Sequence, residues 1–286
     1  MSKISYSQLS MFSECPQRWK LNYIDKLRVS EPSIHLLFGT AMHEVIQTYL
    51  EVMYNDSIKN ANLLNLEEML RDNMIKEFKK AEQEDGKAPC SKEDINEFFQ
   101  DGIFILDFIK KKRADYFSKR GYKLIGCEVP INVELKNNIK MIGYIDIVIH
   151  DEVSDVIKIY DIKTSTHGWN KWAKKDENKT QQLLLYKQFY SKQYNHPIEN
   201  IEVEYFIVKR KLWEEALFPQ KRVQKFVPAS GKPSMNKVMS GLDLFLENAF
   251  DDHGKHNTDK IFALPSKKAC KWCEFNQTEH CNQGVK

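Results

Sequence analysis

The 286-residue sequence lacks the features that would place it in a membrane or direct it out of the cell. No apolar run approaches the roughly 20 residues that a membrane-spanning helix needs. The first ten residues, MSKISYSQLS, have no apolar middle of the kind found in secretory signal peptides. We therefore expect a cytoplasmic protein without a membrane partner.

Several further signals are missing. No G-x-x-x-x-G-K-[S/T] phosphate-binding loop occurs, so this sequence predicts no nucleotide-driven motor. Neither a repeat period nor a low-complexity tract is visible. The net charge is only +3, from 43 basic and 40 acidic residues. Such a balance does not prove nucleic-acid binding, but a basic groove beside an acidic metal site would produce it.

Hydrophobic periodicity predicts the order of the elements. Residues 4–27 predict a short amphipathic helix followed by an aromatic-rich segment. Helical patterns cover residues 36–55, 60–120, 177–194 and 234–250, and the second of these breaks near 85–94, where Ser91 followed by Asp94 favours a helix cap. Runs rich in β-branched residues predict strands at 123–135, 141–150, 156–165, 201–209 and 221–227. This order predicts a single α/β domain over residues 1–286 with a mixed sheet and a helical insertion at about 55–120.

Two carboxylates fall inside the apolar strands. Asp146 lies in MIGYIDIVIH and Asp161 in VIKIYDIKTS. Adjacent buried carboxylates repel each other unless a cation lies between them, and oxygen ligands suit Mg²⁺ or Mn²⁺. Lys163 follows two residues after Asp161, so both side chains point to one site, where an ammonium can stabilise charge on a phosphate. The pattern favours metal-assisted phosphodiester hydrolysis, with a surface salt bridge as the alternative.

The two segments GYID and YDIKTS together resemble the RecB-like branch of the PD-(D/E)XK nuclease superfamily. Residues 143–146 match its G-x-x-D pattern and residues 161–163 match its (D/E)-x-K element. The resemblance implies a restriction-endonuclease-like core, in which a central mixed β-sheet is flanked by helices. It also implies that Asp146, Asp161 and Lys163 are catalytic.

Further segments agree with this resemblance. FGTAMHEVIQ resembles the upstream helix motif of the family, which makes His43 a metal ligand. QQLLLYKQFY resembles the Q-x-x-x-Y motif, which adds Gln182 and Tyr186 to the catalytic set. By resemblance, the backbone carbonyl of Ile162 completes the metal shell, and Glu128 either supports it or is an ordinary edge-strand residue. Core packing is the alternative for the histidine and for the helix.

Six cysteines occur without an export signal, which argues against a disulfide framework. Cys270, Cys273 and Cys281 crowd the C-terminal segment 262–286. The sequence SQLSMFSECPQRWKL around Cys15 resembles the N-terminal motif of iron–sulfur nucleases in the RecB-like branch, such as the AddB nuclease domain and cluster-bearing CRISPR-associated nucleases. This resemblance implies a [4Fe–4S] cluster on these four cysteines, with the tail packed on the N-terminal segment. Zinc on four cysteines, or on three with His280, is the alternative.

Residues 168–182 mix aromatic and basic side chains, a composition that suits single-stranded DNA. The predicted DNA contacts are Trp169, Lys171, Trp172, Lys174 and Lys175. An exposed charged face is the alternative. Residues 209–222, KRKLWEEALFPQKR, form a weaker basic stretch.

The resemblance as a whole implies a Mg²⁺- or Mn²⁺-dependent deoxyribonuclease. It would act as an exonuclease, or also as an endonuclease, on single-stranded DNA or DNA ends in repair, recombination or phage-type DNA processing. A separate helicase or recombinase is the implied partner. The alternatives are a catalytically silent DNA-binding scaffold of the same fold and an RNA-directed nuclease. Retention of His43, Asp146, Asp161 and Lys163 argues against the silent scaffold.

Overall fold

The computed structural model describes residues 1–27 and 33–285, apart from the side chain of Asp85. The predicted tail segment extends to residue 286, which lies outside this part. Within the described residues, a six-stranded mixed sheet consists of β1 (Ser2–Ile4), β2 (Tyr122–Glu134), β3 (Ile139–Asp151), β4 (Val156–Ser165), β5 (Ile201–Lys209) and β6 (Val223–Phe226). No helix there is long and apolar enough to cross a membrane.

Among the described residues, α-helices flank this sheet. They are α1 (Tyr6–Glu14), α2 (Pro16–Tyr23), α3 (Ile34–Asn55), α4 (Ile58–Leu63), α5 (Leu66–Asp85), α6 (Lys92–Tyr116), α7 (Lys171–Lys175), α8 (Glu177–Thr180), α9 (Gln182–Tyr194), α10 (Lys232–Ala249) and α11 (Lys267–Cys270).

Strand β3 lies at the centre of the topology. Strand β2 pairs antiparallel along one of its edges. The other edge is shared, because β1 pairs in parallel with residues 139–141 and β4 pairs antiparallel with residues 147–151. Strand β5 is parallel to β4, and β6 is antiparallel to β5. The shared edge of β3 therefore opens between residues 141 and 147.

Two apolar cores cover the faces of the sheet. On one face, α3 packs with α5 and α6, and Phe38, Leu70 and Ile105 meet Ile162 and Phe206 of the sheet. The other face is covered by α1, α2, α9 and α10. The helices within residues 55–120 therefore complete a core rather than standing apart from the sheet.

The predicted break in the long helical region is confirmed. Helix α5 ends at Asp85 and is capped by Gly86, whose φ of 66° suits glycine, and Ser91 caps the start of α6 at Lys92. The Ser91 hydroxyl accepts the Asp94 amide at 3.0 Å, and Asp94 Oδ2 accepts the Ser91 amide at 3.2 Å. This reciprocal pair is the capping box that the sequence indicates.

Three local features differ from the predictions. The region 4–27 holds two helices, because Cys15 is extended and Pro16 starts a second helix within the expected aromatic-rich segment. The three-residue strand β1 was not expected, since its pairing depends on the distant residues 139–141. The predicted helix at 177–194 is divided at Gln181 into α8 and α9.

Candidate active site

Strands β3 and β4 separate at the predicted acidic pair. Their ladder ends at Ile147↔Tyr160, so Asp146 and Asp161 form the first opposed positions that are not paired. Asp146 Oδ2 instead accepts the Ile162 amide at 2.7 Å. A carboxylate thus takes the place of a ladder carbonyl, and both acidic side chains lie at the fork between the strands.

Asp161 lies deep in this fork. The residue is 1% exposed, and its Oδ2 is a buried oxygen that accepts no hydrogen bond. Lys163 Nζ is 2.7 Å from the same oxygen and balances its charge. A carboxylate oxygen has a second lone pair, which is unfilled here and can accept a further cation.

The protonation equilibria reflect this crowding. Burial, and then the charge of Asp161, raise the pKa of Asp146 well above its ordinary value. Burial disfavours the Lys163 ammonium, but the carboxylate of Asp161 outweighs it and raises the pKa of that lysine. Burial lowers the pKa of His43 despite the opposing effect of Asp161. The site therefore combines a charged lysine, a neutral imidazole and two carboxylates that repel each other.

Helix α3 brings two side chains to the fork. His43 Nδ1 is 3.6 Å from Asp146 Oδ2, and a neutral imidazole is the form that ligates metals. One turn later, Gln47 Nε2 donates to Glu128 Oε1 at 2.6 Å and to the Asp146 carbonyl at 3.1 Å. Sequence reasoning missed Gln47, although its i,i+4 spacing from His43 places it on the same helix face.

Glu128 stands at the same level on β2. The β2–β3 ladder passes from Cys127↔Ile147 to Val129↔Ile145 and omits Glu128, whose φ is +49°. A left-handed conformation at a non-glycine residue is strained and is common at functional sites. Glu128, Asp146 and Asp161 thus form a row across three adjacent strands.

Helix α9 supports the lysine from the other side. Lys163 Nζ donates to Gln182 Oε1 at 3.2 Å, and Gln182 Nε2 donates to the Tyr186 hydroxyl at 3.2 Å. Tyr186 packs on Gly143, where an added Cβ would lie 3.0 Å from the ring. The glycine of the G-x-x-D segment therefore allows the tyrosine of the Q-x-x-x-Y segment to approach β3 closely.

A cleft of about 480 Å³ opens beside Lys163 and Gln182. One wall is the polar side of α1, and the opposite wall is the segment leading into α9. Basic and hydroxyl side chains dominate the lining, which includes Tyr6, Ser7, Ser10, Arg18, Trp169 and Lys179. Of the predicted catalytic residues, Lys163 and Gln182 therefore face this groove.

Of the five predicted DNA contacts, Trp169 lines this groove, and the other four lie on α7 outside its lining. Trp169 is half-buried, with its ring 5.0 Å from that of Tyr205, and it also lines the cleft. Trp172 is exposed, and Lys171 Nζ lies 5.0 Å from its ring centroid. Lys174 and the exposed Lys175 belong to the same short helix, α7.

The cysteines at the two ends of the chain meet at one narrow cavity. Cys15, Cys270, Cys273 and Cys281 all line it, and all are free thiols. Cys15 Sγ accepts the Leu264 amide at 3.4 Å. The C-terminal segment thus packs against the α1–α2 junction.

The residues at the fork satisfy only part of a metal site as they stand. Across residues 1–27 and 33–285, no three His, Cys, Asp or Glu side chains already form a group that could hold a metal ion. The unfilled oxygen of Asp161 and the raised pKa of Asp146 nevertheless fit a cation between the two carboxylates. Binding would require the side chains to draw together around the ion.

Comparison with known proteins places the chain in a family. A model of the PD-(D/E)XK nuclease superfamily matches residues 3–278. The chain therefore belongs to the PD-(D/E)XK nuclease superfamily, and the predicted fold class is confirmed. No curated protein matches the sequence. A solved structure from Eubacterium rectale, provisionally named an exonuclease, is similar in fold, with a TM-score of 0.50 and 14% identity over 86% of this chain and 80% of the other.

Proposed function

We propose that this protein is a metal-dependent DNA nuclease of the RecB-like branch, acting as an exonuclease on single-stranded DNA or DNA ends. The observation that carries the proposal is the fork of β3 and β4. There Asp146 and Asp161 meet beyond the last strand pair, with Lys163 2.7 Å from Asp161. A structural salt bridge would not need a second buried carboxylate beside it.

Mg²⁺ or Mn²⁺ is the proposed catalytic ion. Asp146, Asp161 and His43 would hold it, together with the backbone carbonyl of Ile162. Glu128, whose carboxylate is held by Gln47, would support the same ion. When bound, such an ion activates water and neutralises charge on the phosphate. The neutral His43 and the unfilled oxygen of Asp161 are suitable donors for this role.

Lys163 supplies the second cationic element. Its raised pKa keeps the ammonium charged, so it can stabilise negative charge that develops on the scissile phosphate. Gln182 holds the ammonium at 3.2 Å, and Tyr186 holds Gln182. We therefore assign Lys163 as a catalytic residue, with Gln182 and Tyr186 completing the catalytic set around it.

The cleft beside α1 is the proposed path of the DNA strand. Trp169 and Trp172 would contact bases, and Lys171, Lys174 and Lys175 would contact phosphates. Such a site would serve DNA repair, recombination or phage-type DNA processing, with strand separation provided by a separate helicase or recombinase. The free thiols throughout the chain agree with action inside the cell.

Cleavage assays test this proposal. The protein is incubated with end-labelled single-stranded DNA, duplex DNA or RNA, in Mg²⁺, Mn²⁺ or EDTA. We expect cleavage of single-stranded DNA from an end, with either ion and not in EDTA. Binding of DNA without cleavage would favour the silent scaffold, and preferential cleavage of RNA would favour the RNA-directed alternative.

We further propose that Cys15, Cys270, Cys273 and Cys281 ligate a [4Fe–4S] cluster. Their shared cavity supports a four-thiolate site, whereas His280 is exposed, with its ring 5.9 Å from that of Phe275. The cluster would tie the chain ends together, a structural role. Visible absorbance and iron analysis of anaerobically purified protein should reveal it. A colourless protein with stoichiometric zinc would favour the zinc alternative.

A further inference from the structure

The pairing of β5 with β4, the strand that carries Asp161 and Lys163, continues beyond the sheet. The Arg210 amide donates to the Ser165 carbonyl at 2.9 Å, and the Lys211 amide donates to the Thr166 carbonyl at 2.7 Å. The two segments therefore remain paired beyond Lys163. The residues that follow Thr166 and Lys211 are held at a fixed place beside the catalytic edge, which is the row formed by Glu128, Asp146 and Asp161.

An exposed pair of stacked rings occupies this place. The ring centroids of His167 and Trp213 are 4.1 Å apart, and their planes differ by 12°. Trp213 is 62% exposed, and His167 is exposed as well. Burial of apolar surface does not account for such a pair, because most of the indole remains in water. The stack leaves aromatic surface free for a third flat ring.

The loop that bears Trp213 is anchored near its two ends. Gln220 Nε2 donates to the Trp213 carbonyl at 2.7 Å, and Gln220 Oε1 accepts the Trp213 amide at 3.3 Å. At the start of the loop, the Arg210 guanidinium lies 3.8 Å from the Phe98 ring centroid and 2.6 Å from Asp101 Oδ2. A platform fixed in this way loses less entropy on binding than a free loop.

We propose that the His167–Trp213 stack binds a nucleobase of the single strand that occupies the active site. The inference rests on the proposed nuclease function and adds a base-binding subsite to it. His167 follows Lys163 by four residues, a span of at most about 14 Å of extended chain. A base a few nucleotides from the scissile phosphate can therefore reach the stack. Aromatic platforms bind any base by its face, without reading sequence.

Charges around the stack favour an unpaired strand over a duplex. Glu214 and Glu215 line the surface pocket that His167 and Trp213 also line, and Lys211 is paired with Asp101 at 3.0 Å. Phosphate attraction is therefore weak here, so the ring face supplies the affinity. Bases in a duplex already stack on one another and are closed to Trp213. The subsite should thus discriminate single-stranded from double-stranded DNA.

Binding measurements on a matched pair of loop variants test the proposal. Fluorescence anisotropy is recorded with a labelled oligodeoxythymidine strand and with a duplex of the same length, in EDTA so that cleavage does not compete. We expect Trp213→Ala to raise the Kd for the single strand by roughly 5-fold or more, the lower end of what base–aromatic stacking contributes. Trp213→Phe should recover most of the affinity, and the duplex Kd should stay unchanged.

Phe218→Ala is the control, because Phe218 lies on the same loop and is 80% exposed. It should leave both Kd values unchanged. Equal losses for Phe218→Ala and Trp213→Ala, equal losses for strand and duplex, or no loss at all would each overturn the stacking proposal. In all three cases, cleavage of DNA by the wild type in Mg²⁺ would still support the proposed nuclease function. If the wild type neither bound nor cleaved DNA, the nuclease proposal and the stacking proposal would both be overturned.

A strand with one abasic position, moved nucleotide by nucleotide, locates the stacked base. One position should weaken wild-type binding, and at that position Trp213→Ala should weaken it no further. Additive losses at every position would contradict a stacked base at Trp213.

Discussion

The catalytic edge and the cysteine cavity bring distant residues together by different means. At the catalytic edge, consecutive strands deliver Glu128, Asp146 and Asp161 side by side, and apolar cores on both faces hold them there. At the cysteine cavity, Cys15 lies at the junction of α1 and α2, and the other three cysteines follow α10. The first site is fixed by the sheet, whereas the second depends on how the chain ends meet.

One side chain lies between the two regions. Arg18 lines both the cleft and the cysteine cavity. It pairs with Glu274 at 2.8 Å and with Glu14 at 3.4 Å, and Glu14 in turn accepts Asn178 Nδ2 at 2.9 Å. Substitutions in the two regions should therefore have different effects. Those at the catalytic edge should abolish cleavage, whereas those at the cysteine cavity should lower the stability of the protein and loosen one wall of the cleft.

Lys163→Ala should produce the largest effect. Loss of the ammonium at the scissile phosphate should reduce the cleavage rate by at least about 100-fold, as removal of a transition-state charge partner does. Lys158→Ala is the matched control on the same strand, because Lys158 pairs with Glu202 away from the fork. Equal rates for the two variants, measured in the same gel assay, would contradict the assignment of Lys163.

Cys270→Ser should affect stability more than chemistry. Removal of one thiolate from a group that joins the chain ends should lower Tm by roughly 5–10 °C, by analogy with other long-range cross-links. Visible absorbance or bound metal should fall in parallel. Cys90→Ser is the control, since Cys90 lies outside the cavity. If both variants lowered Tm equally, the cavity cysteines would have no special role in stability.

Gly143→Ala should disturb the lysine support without touching the fork itself. The new methyl group would lie 3.0 Å from the Tyr186 ring, so Tyr186 and Gln182 must shift and the cleavage rate should fall about 10-fold. Gly241→Ala is the control, because a Cβ there meets nothing within 4 Å. It lies in α10 and should stabilise the protein by about 0.5–1 kcal/mol, which thermal melting can detect.

Arg18→Gln should give the smallest effect. Losing its partly buried contacts with Glu274 should cost about 1 kcal/mol of stability and increase proteolysis near residues 171–182. In a double-mutant cycle, Arg18→Gln and Glu274→Gln should be less than additive. Full additivity in thermal melts would show that the two side chains do not act together.

Local patterns predicted much of the catalytic edge. The alternating apolar strands that contain Asp146, Asp161 and Lys163 are contiguous runs of sequence. The capping box at Ser91 and the pair Gln182 and Tyr186 also lie within short contiguous segments. These features depend on spacing of two to four residues, which a sequence displays directly.

Other features depend on contacts between distant segments. The short strand β1 forms only because residues 139–141 offer a free edge. The contact of Gln47 with Glu128 requires α3 to lie over β2, and the His167–Trp213 stack requires β4 and β5 to be neighbours. Periodicity carries no information about such pairings, so sequence reasoning could not find them.

Equilibrium binding of Mn²⁺ to the wild type and to Asp161→Asn tests the central claim most directly. The substitution keeps the shape of the side chain and removes the charge of the unfilled oxygen. Titration calorimetry should show Mn²⁺ binding to the wild type and a large loss in the variant, together with loss of cleavage. Equal Mn²⁺ binding by both proteins, or cleavage by the wild type in EDTA, would contradict a metal-dependent site at the fork.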